Sequence, residues 1–291
     1  MATSADPIHN IRGTAPGWWV ERDGRILVAM PGPPGEMQHM WQKEILPRLR
    51  QCSTGGIIFS KTFKTFGLSE AAVGELVSPL LSSANPTLAV YAKADGVHLR
   101  LTAKTGSQKQ AEKMIVDSEV SIRAILGEYI WGTDNETLEA IIGHLLVEKG
   151  LSLAVMESCT GGLLATTITD VPGSSAYFKG GLVAYSNGVK IAHGVDAKII
   201  SKYGAISPEV AQAMAEAAKM RLGADVGVSV TGVAEAEEME AESTGMVYIG
   251  IDNGKSRRVI KGNYPGSRTQ VKRRATTAAL FELRKTLADL A

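Results

Sequence analysis

Apolar positions from residue 132 to residue 291 fall alternately into short runs and 3.6-spaced stripes, so strands and helices are expected in turn throughout this part of the chain. Leu138, Ile141, Ile142 and Leu145 form one stripe, with Thr133 or Asp134 as the helix cap. An apolar strand over Leu151 to Met156 breaks at Ser158-Cys159-Thr160-Gly161-Gly162. A helix over Leu163 to Thr169, a Pro172-Gly173-Ser174-Ser175 loop and a strand over Leu182 to Tyr185 follow. After Asp196 to Tyr203, Ser207-Pro208-Glu209 starts a helix with proline in its first turn, carrying Val210, Met214 and Ala217. Strands are expected over Val226 to Val230, Met246 to Ile251 and Val259 to Tyr264, with Asn253-Gly254 as a hairpin turn. A last helix starts at Ser267 and places Val271, Ala275, Ala278, Ala279 and Leu283 on one face. These elements make a single α/β domain, residues 132–291.

The preceding chain divides in two. Residues 53–131 read as a small α+β unit, with strands over Ile57 to Thr62, Leu88 to Ala92 and Val97 to Ala103. Ser69 opens a helix over Ala71, Ala72, Leu76 and Leu80, and Ser107 opens a longer one through Ile115, Val116 and Ile122. Gly127 and Gly132 mark the exit to the next domain. Two helices on a short sheet resemble an RNA-binding KH module, yet no Gly-x-x-Gly loop is present to clamp a nucleic-acid backbone, so a spacer or dimerisation domain is the preferred expectation. Residues 1–52 supply one strand, Arg25 to Met30, and one amphipathic helix with Met37, Met40, Trp41, Ile45 and Leu49 on a face. One strand and one helix cannot close a core, so either this piece docks on the rest or, the preferred expectation, a larger amino-terminal part is missing.

Composition narrows the class. The 44% apolar residues support sizeable cores across 291 residues, and a net charge of +1 gives no reason to expect non-specific binding to nucleic acid or anionic membrane. The two cysteines, Cys52 and Cys159, form no CxxC or Cys/His cluster, which argues against a disulfide framework or a zinc site. No apolar run reaches the roughly 18 residues of a membrane span, and the amino terminus lacks a secretory signal pattern. A soluble cytoplasmic protein is expected.

Candidate chemistry concentrates around the break at 158–162. A strand that passes through small hydroxyl and glycine residues into a helix suits anion binding, because the first N–H groups of a helix are unpaired and its dipole favours negative charge. Beyond that helix come Ser174, Ser175, Tyr185 and Lys190, enough hydroxyl and amine groups for a covalent hydrolase.

At Glu157-Ser158-Cys159-Thr160-Gly161-Gly162, Gly173-Ser174-Ser175, Tyr185-Ser186-Asn187 and Thr231-Gly232 the chain resembles the carboxy-terminal domain of the CinA family. Phe66-Gly67-Leu68-Ser69-Glu70, Asn85-Pro86 and Leu99-Arg100-Leu101-Thr102-Ala103 resemble that family's KH-like middle domain. Gly13-Thr14-Ala15-Pro16-Gly17 and Pro31-Gly32-Pro33-Pro34-Gly35-Glu36-Met37 resemble the end of its molybdopterin-cofactor-binding-like first domain. The resemblance implies a three-layer α/β deamidase domain behind a KH-like domain and a first-domain fragment. It implies a homodimer that deamidates nicotinamide mononucleotide in pyridine nucleotide salvage, without metal or cofactor. The metal-dependent ADP-ribose pyrophosphatase activity of the family's first domain is expected to be lost.

The family pattern puts a serine nucleophile at Ser175, activated by Tyr185 and Lys190. A lysine can serve as base only if burial lowers its pKa toward neutrality, and Tyr185 would relay the proton or hold the amine neutral. Thr231 would orient the carboxamide or stabilise the oxyanion. Arg268, at the start of the last helix with Lys272, Arg273 and Arg274 close behind, would hold the substrate phosphate. Cations there oppose the helix dipole, so an anion is expected nearby. Ser158, Cys159, Thr160, Gly161, Gly162, Ser174, Asn187 and Gly232 are the remaining candidates for substrate contact. Cys159 lies near a helix start that could lower a thiol pKa, but no histidine in the motif could act as its base.

Each of these residues also has an ordinary reading: a loop serine, a core tyrosine, a solvated lysine, a threonine bonded to its own backbone. One departure from the family is sharp. Where the family has a Gly-Pro-x-Gly-Gly loop, this chain has Glu235-Ala236-Glu237-Glu238-Met239-Glu240-Ala241-Glu242, a run that would repel a phosphate. A catalytically silent nucleotide binder or scaffold is therefore the rival expectation, and nucleic-acid binding through the middle domain a weaker third.

Overall fold

The computed structural model describes residues 5–52, 56–234 and 244–290, and the glutamate run lies outside them. The chain forms two compact units, Met1–Ile57 and Ile58–Ala291.

The first unit holds more structure than its sequence suggested. Strands β1 (Ala5–Ile8), β2 (Gly17–Arg22) and β3 (Arg25–Ala29) form an antiparallel meander. Helix α1 (Pro34–Met40) continues through a π-helical stretch, Trp41–Ile45, into α2 (Leu46–Cys52). Ile8, Trp19, Met40 and Ile45 are buried together, so this piece closes a small core of its own. The missed signal is Asp23-Gly24, both with positive φ, the pair that a tight two-residue hairpin favours.

In the second unit, β4 (Ile57–Thr65), β5 (Thr87–Lys93), β6 (Gly96–Thr105) and β7 (Ile130–Thr133) make a sheet in the order β5-β6-β4-β7. Helices α3 (Glu70–Leu76), α4 (Ser78–Leu81) and α5 (Gln108–Leu126) accompany it. The helix expected from Ser69 through Leu80 is two helices, because Pro79 has no N–H to continue the first. The Gly127–Gly132 stretch, expected as a linker, instead supplies β7, whose Gly132 pairs with Lys64 of β4. Phe66 meets Phe281 with ring centroids 5.3 Å apart, and Lys285 pairs with Glu128 at 2.8 Å, so this part packs against the last helix.

The rest is a three-layer α/β sandwich. Its elements are α6 (Leu138–Lys149), β8 (Leu153–Glu157), α7 (Leu163–Thr169), β9 (Phe178–Val183), α8 (Asn187–Ala192), α9 (Ala197–Tyr203) and α10 (Pro208–Leu222). They are followed by β10 (Val226–Gly232), β11 (Met246–Asp252), β12 (Arg257–Asn263) and α11 (Arg268–Ala288). Helix α6 is capped by Thr137, whose hydroxyl accepts from Ala140 N. The expected caps do other work: Thr133 ends β7, and the Asp134 carboxylate accepts from Thr62 N at 2.8 Å.

The sheet runs β12-β11-β10-β8-β9, with β9, β8 and β10 parallel and β11 antiparallel to both of its neighbours. Helices α6, α7 and α11 cover one face around Leu146, Val155, Val228 and Ala278. Helix α10 covers the other, with α8 and α9, around Ala154, Met156, Met214 and Ala218. That helix lies close enough to touch backbone. A Cβ at Gly227 would fall 2.0 Å from the Ala215 carbonyl oxygen, and one at Gly250 would fall 2.4 Å from that of Ala211. Glycine is required at both positions for the layer to seat.

Candidate active site

From β8 the chain crosses through α7 to β9 on one side, then returns to β10 on the other. In such a sheet a crevice opens outside the carboxyl ends of the strands where the winding reverses. Ser158 stands at that point, immediately after β8. Its backbone N–H donates to Val230 O at 2.8 Å, which anchors it to β10. Gly161 N donates back to Ser158 O at 3.1 Å, closing the turn. Gly161 (φ +62°) and Gly162 (φ +94°) take left-handed conformations that side chains disfavour.

Glu157, the last residue of β8, is fully buried. Its carboxylate accepts from Gly162 N at 3.0 Å, Leu164 N at 3.0 Å and Ala165 N at 2.8 Å. A negative group therefore already occupies the start of α7, satisfying donors that a helix beginning leaves open. The anion site expected at this helix start is thus filled by the protein itself. Sequence reasoning gave Glu157 no role, although an acidic residue ending an apolar strand was the available signal.

Lys190 reaches the crevice from the other side. Ser186 caps α8, its hydroxyl accepting from Val189 N at 3.4 Å, and Lys190 follows in the last turn of this short helix. Its side chain is 2% exposed. The amine donates to Ser158 Oγ at 3.2 Å and to the Tyr185 carbonyl at 3.3 Å. Among the described residues no carboxylate pairs with it, and burial lowers its pKa below the ordinary lysine value.

The crevice has a volume of about 360 Å³. Ser158, Cys159 and Lys190 line it on one side, Tyr185, Ser186 and Asn187 on another, and Ala205, Ile206, Gly232, Val233, Ala234 and Arg268 complete it. A second cavity, of about 340 Å³, lies between the four-stranded sheet and α11. Its lysine, Lys64, donates to the Glu136 carbonyl, and no hydroxyl there meets a buried amine.

The structure separates the expected nucleophile from its expected base. Ser174 and Ser175 form a short 3-10 turn, Ser174–Ala176, before the amino end of β9, whereas Tyr185 and Lys190 follow its carboxyl end. Six strand residues put roughly 20 Å between the two ends. Ser175 is exposed on the far edge. The hydroxyl that does meet Lys190 is Ser158, expected only as a substrate contact.

Other expected residues divide similarly. The Tyr185 side chain is 59% exposed, and its hydroxyl accepts from Arg268 at 2.8 Å; it is the Tyr185 carbonyl that holds Lys190. A proton relay through the phenol is not the geometry found. Thr231 is fully buried and donates to Ala205 O at 3.1 Å, so it braces the wall of the crevice and does not line it. Burial pushes the Cys159 thiol up to about 11, with Glu157 adding to the effect, so it stays protonated and unreactive at neutral pH. Thr160 is also fully buried, Asn187 and Gly232 line the crevice, and Arg268 stands at its mouth. Among the described residues no cluster of three metal-ligating side chains occurs, and no helix is long and apolar enough to cross a membrane.

Known proteins agree with this architecture. Residues 135–287 match the family described as CinA C-terminal domain, and residues 60–132 match the damage-inducible protein CinA KH domain. A putative competence-damage inducible protein of Moorella thermoacetica is 42% identical over 99% of this chain and 70% of its own length. A protein of the same name from Clostridium kluyveri is 42% identical over 95% of this chain and 68% of its own. Among solved structures, competence damage-inducible protein A of Klebsiella pneumoniae superposes with a TM-score of 0.51 at 26% identity, covering 53% of this chain and 97% of its own. A CinA superfamily protein of Enterobacter cloacae gives 0.51 at 25%, covering 54% and 96%. With both of its larger segments matched by these family models and its relatives 42% identical over nearly its full length, the chain belongs to the CinA family.

Proposed function

We propose that the protein is a serine amidohydrolase that converts nicotinamide mononucleotide to nicotinate mononucleotide and ammonia. The observation that carries this reading is the 3.2 Å approach of a buried, carboxylate-free Lys190 amine to Ser158 Oγ. A serine hydroxyl becomes a nucleophile when a neighbouring base takes its proton. A lysine is such a base when its environment disfavours the ammonium form.

In the proposed sequence, Lys190 removes the Ser158 proton as Oγ attacks the carboxamide carbon. The same proton then passes to the departing nitrogen, ammonia leaves, and an acyl-enzyme remains on Ser158. Water, deprotonated by the again-neutral Lys190, adds to the acyl carbon. The acid departs as Ser158 recovers its proton. Arg268 at the mouth supplies a cation for the phosphate end, and the family resemblance supplies the identity of the ring and the amide.

The test is ammonia release from nicotinamide mononucleotide by the purified protein as a function of pH. The rate is expected to fall on the acid side through the lowered pKa of Lys190, as the amine takes up a proton and ceases to be a base. Absence of ammonia at every pH would contradict the reading.

A second expectation concerns stability. The native amine binds its proton more weakly than the unfolded chain does. Stability therefore rises with pH from the lowered native value to the ordinary 10.5. Lys190→Met, which fills the same space without a charge to desolvate, is expected to lose activity yet melt at a higher temperature than the parent. Calorimetric melting of both proteins at neutral pH checks this; a lower melting temperature in the variant would count against a neutralised lysine.

A further inference from the structure

Arg268 and Lys272 are four residues apart on α11, on one face and about 6 Å apart along the helix axis. Arg268 lines the mouth of the crevice and donates to the Tyr185 hydroxyl. Lys272 approaches the other flank of the catalytic turn: a Cβ placed on Gly161 would lie 3.4 Å from its Nζ. The two cations thus bracket the edge of the turn that carries Ser158.

Lys272 is half-buried, and its ammonium has no ion pair or hydrogen bond among the described residues. Among the described residues, the titratable groups of the adjoining turn offer it no counter-charge. The Glu157 carboxylate is committed to three backbone N–H groups, and the Cys159 thiol stays protonated. A partly desolvated cation without a partner is costly unless a ligand supplies the anion. Gly161 is exposed, and apart from its chain neighbours only the Lys272 side chain comes within 4 Å of the place a Cβ there would take.

We propose that Lys272 is a second contact for the substrate phosphate, acting with Arg268 to make the site prefer a mononucleotide over the corresponding nucleoside. The inference rests on the amidohydrolase reading and adds the basis of its selectivity. The closed turn holds the Cα atoms of Ser158 and Gly161 within roughly 7 Å. A substrate with its carboxamide at Ser158 and its phosphate at the opposite end of the ribose would therefore reach α11. Arg268 alone would contact one edge of the phosphate; Lys272, as a compact point charge, would neutralise the second negative charge.

The experiment compares the parent protein with Lys272→Met and Lys272→Arg on nicotinamide mononucleotide and on its dephosphorylated riboside, by steady-state kinetics and by calorimetric binding. Lys272→Met is expected to raise the KM for the nucleotide about tenfold, the scale of one charge-assisted hydrogen bond, with little change in kcat. The preference for nucleotide over riboside should fall by the same factor, and Lys272→Arg should restore most of it. Lys272→Gln replaces the methionine variant if that one fails to fold. An unchanged preference in the neutral variants, or equal losses on both substrates, would overturn the proposal. If the parent releases no ammonia, the amidohydrolase reading fails by itself, and binding then decides the inference. Selective weakening of nucleotide binding in Lys272→Met would support it. Equal weakening, or no nucleotide binding by the parent, would overturn it.

Discussion

Ser158→Ala is expected to lower the rate of ammonia release on the order of a thousandfold or more, the scale on which removal of an activated nucleophile acts, while Ser175→Ala leaves it unchanged. The contrast follows from the positions of the two hydroxyls on the sheet. Ser158 is 7% exposed at the carboxyl end of β8, with Lys190 Nζ 3.2 Å from its oxygen. Ser175 is exposed before the amino end of β9, a strand length from any part of the crevice. Assaying both variants against nicotinamide mononucleotide separates the alternatives cleanly. Loss of activity in Ser175→Ala with Ser158→Ala intact would reverse the assignment. Loss in both, with melting temperatures preserved, would mean that the two serines act together in a way the fold does not provide.

Glu157→Ala is expected to destabilise the protein by about 3 kcal/mol, since three backbone N–H groups, one buried and two half-buried, would lose their acceptor at once. In a chain of this size such a loss lowers the melting temperature by roughly 5 °C. Activity should fall as well, because the carboxylate fixes the 158–162 turn from inside and Ser158 is the next residue. Glu157→Gln keeps one carbonyl oxygen for these donors but turns an amide toward the rest, so an intermediate loss is expected. Thermal melting of both variants beside the parent measures the effect. A melting temperature unchanged in Glu157→Ala would show that water replaces the carboxylate at no cost, and the rigid-turn account would fail.

Much of the carboxy-terminal fold was legible because its elements announce themselves locally. The apolar run before Ser158, the Ser207-Pro208-Glu209 helix start and the stripe from Val271 to Leu283 appear where periodicity put them. The errors arose where a residue's partner is distant in sequence. Thr133 and Asp134 look like a helix cap until β4 supplies Thr62 for the Asp134 carboxylate to bind. Ile130–Thr133 looks like a linker until Lys64 pairs with Gly132.

The site was partly legible for the same reason. Lys190 and the 158–162 turn could be singled out from residue type and motif. Which serine meets the lysine depends on the parallel pairing of β8 with β9, which sets Ser158 and Tyr185 at one end and Ser175 at the other. Chain order makes Ser175 the nearer partner of Lys190; sheet geometry makes it Ser158. Tyr185 misleads similarly. Its hydroxyl suggests a relay, but its backbone carbonyl does the positioning while the phenol faces Arg268. The short helix α8, which delivers Lys190, could have been read from Ser186 as a cap three residues before Val189.

The account stands on an uncharged amine beside a strand-end hydroxyl. Heteronuclear NMR titration of Lys190 in the intact protein, assigned by comparison with Lys190→Met, tests this most directly. Lys190 is expected to give up its proton below the ordinary lysine value, with ammonia release rising as it does. A Lys190 resonance that titrates with the exposed lysines, and is fully protonated throughout the active range, would contradict it.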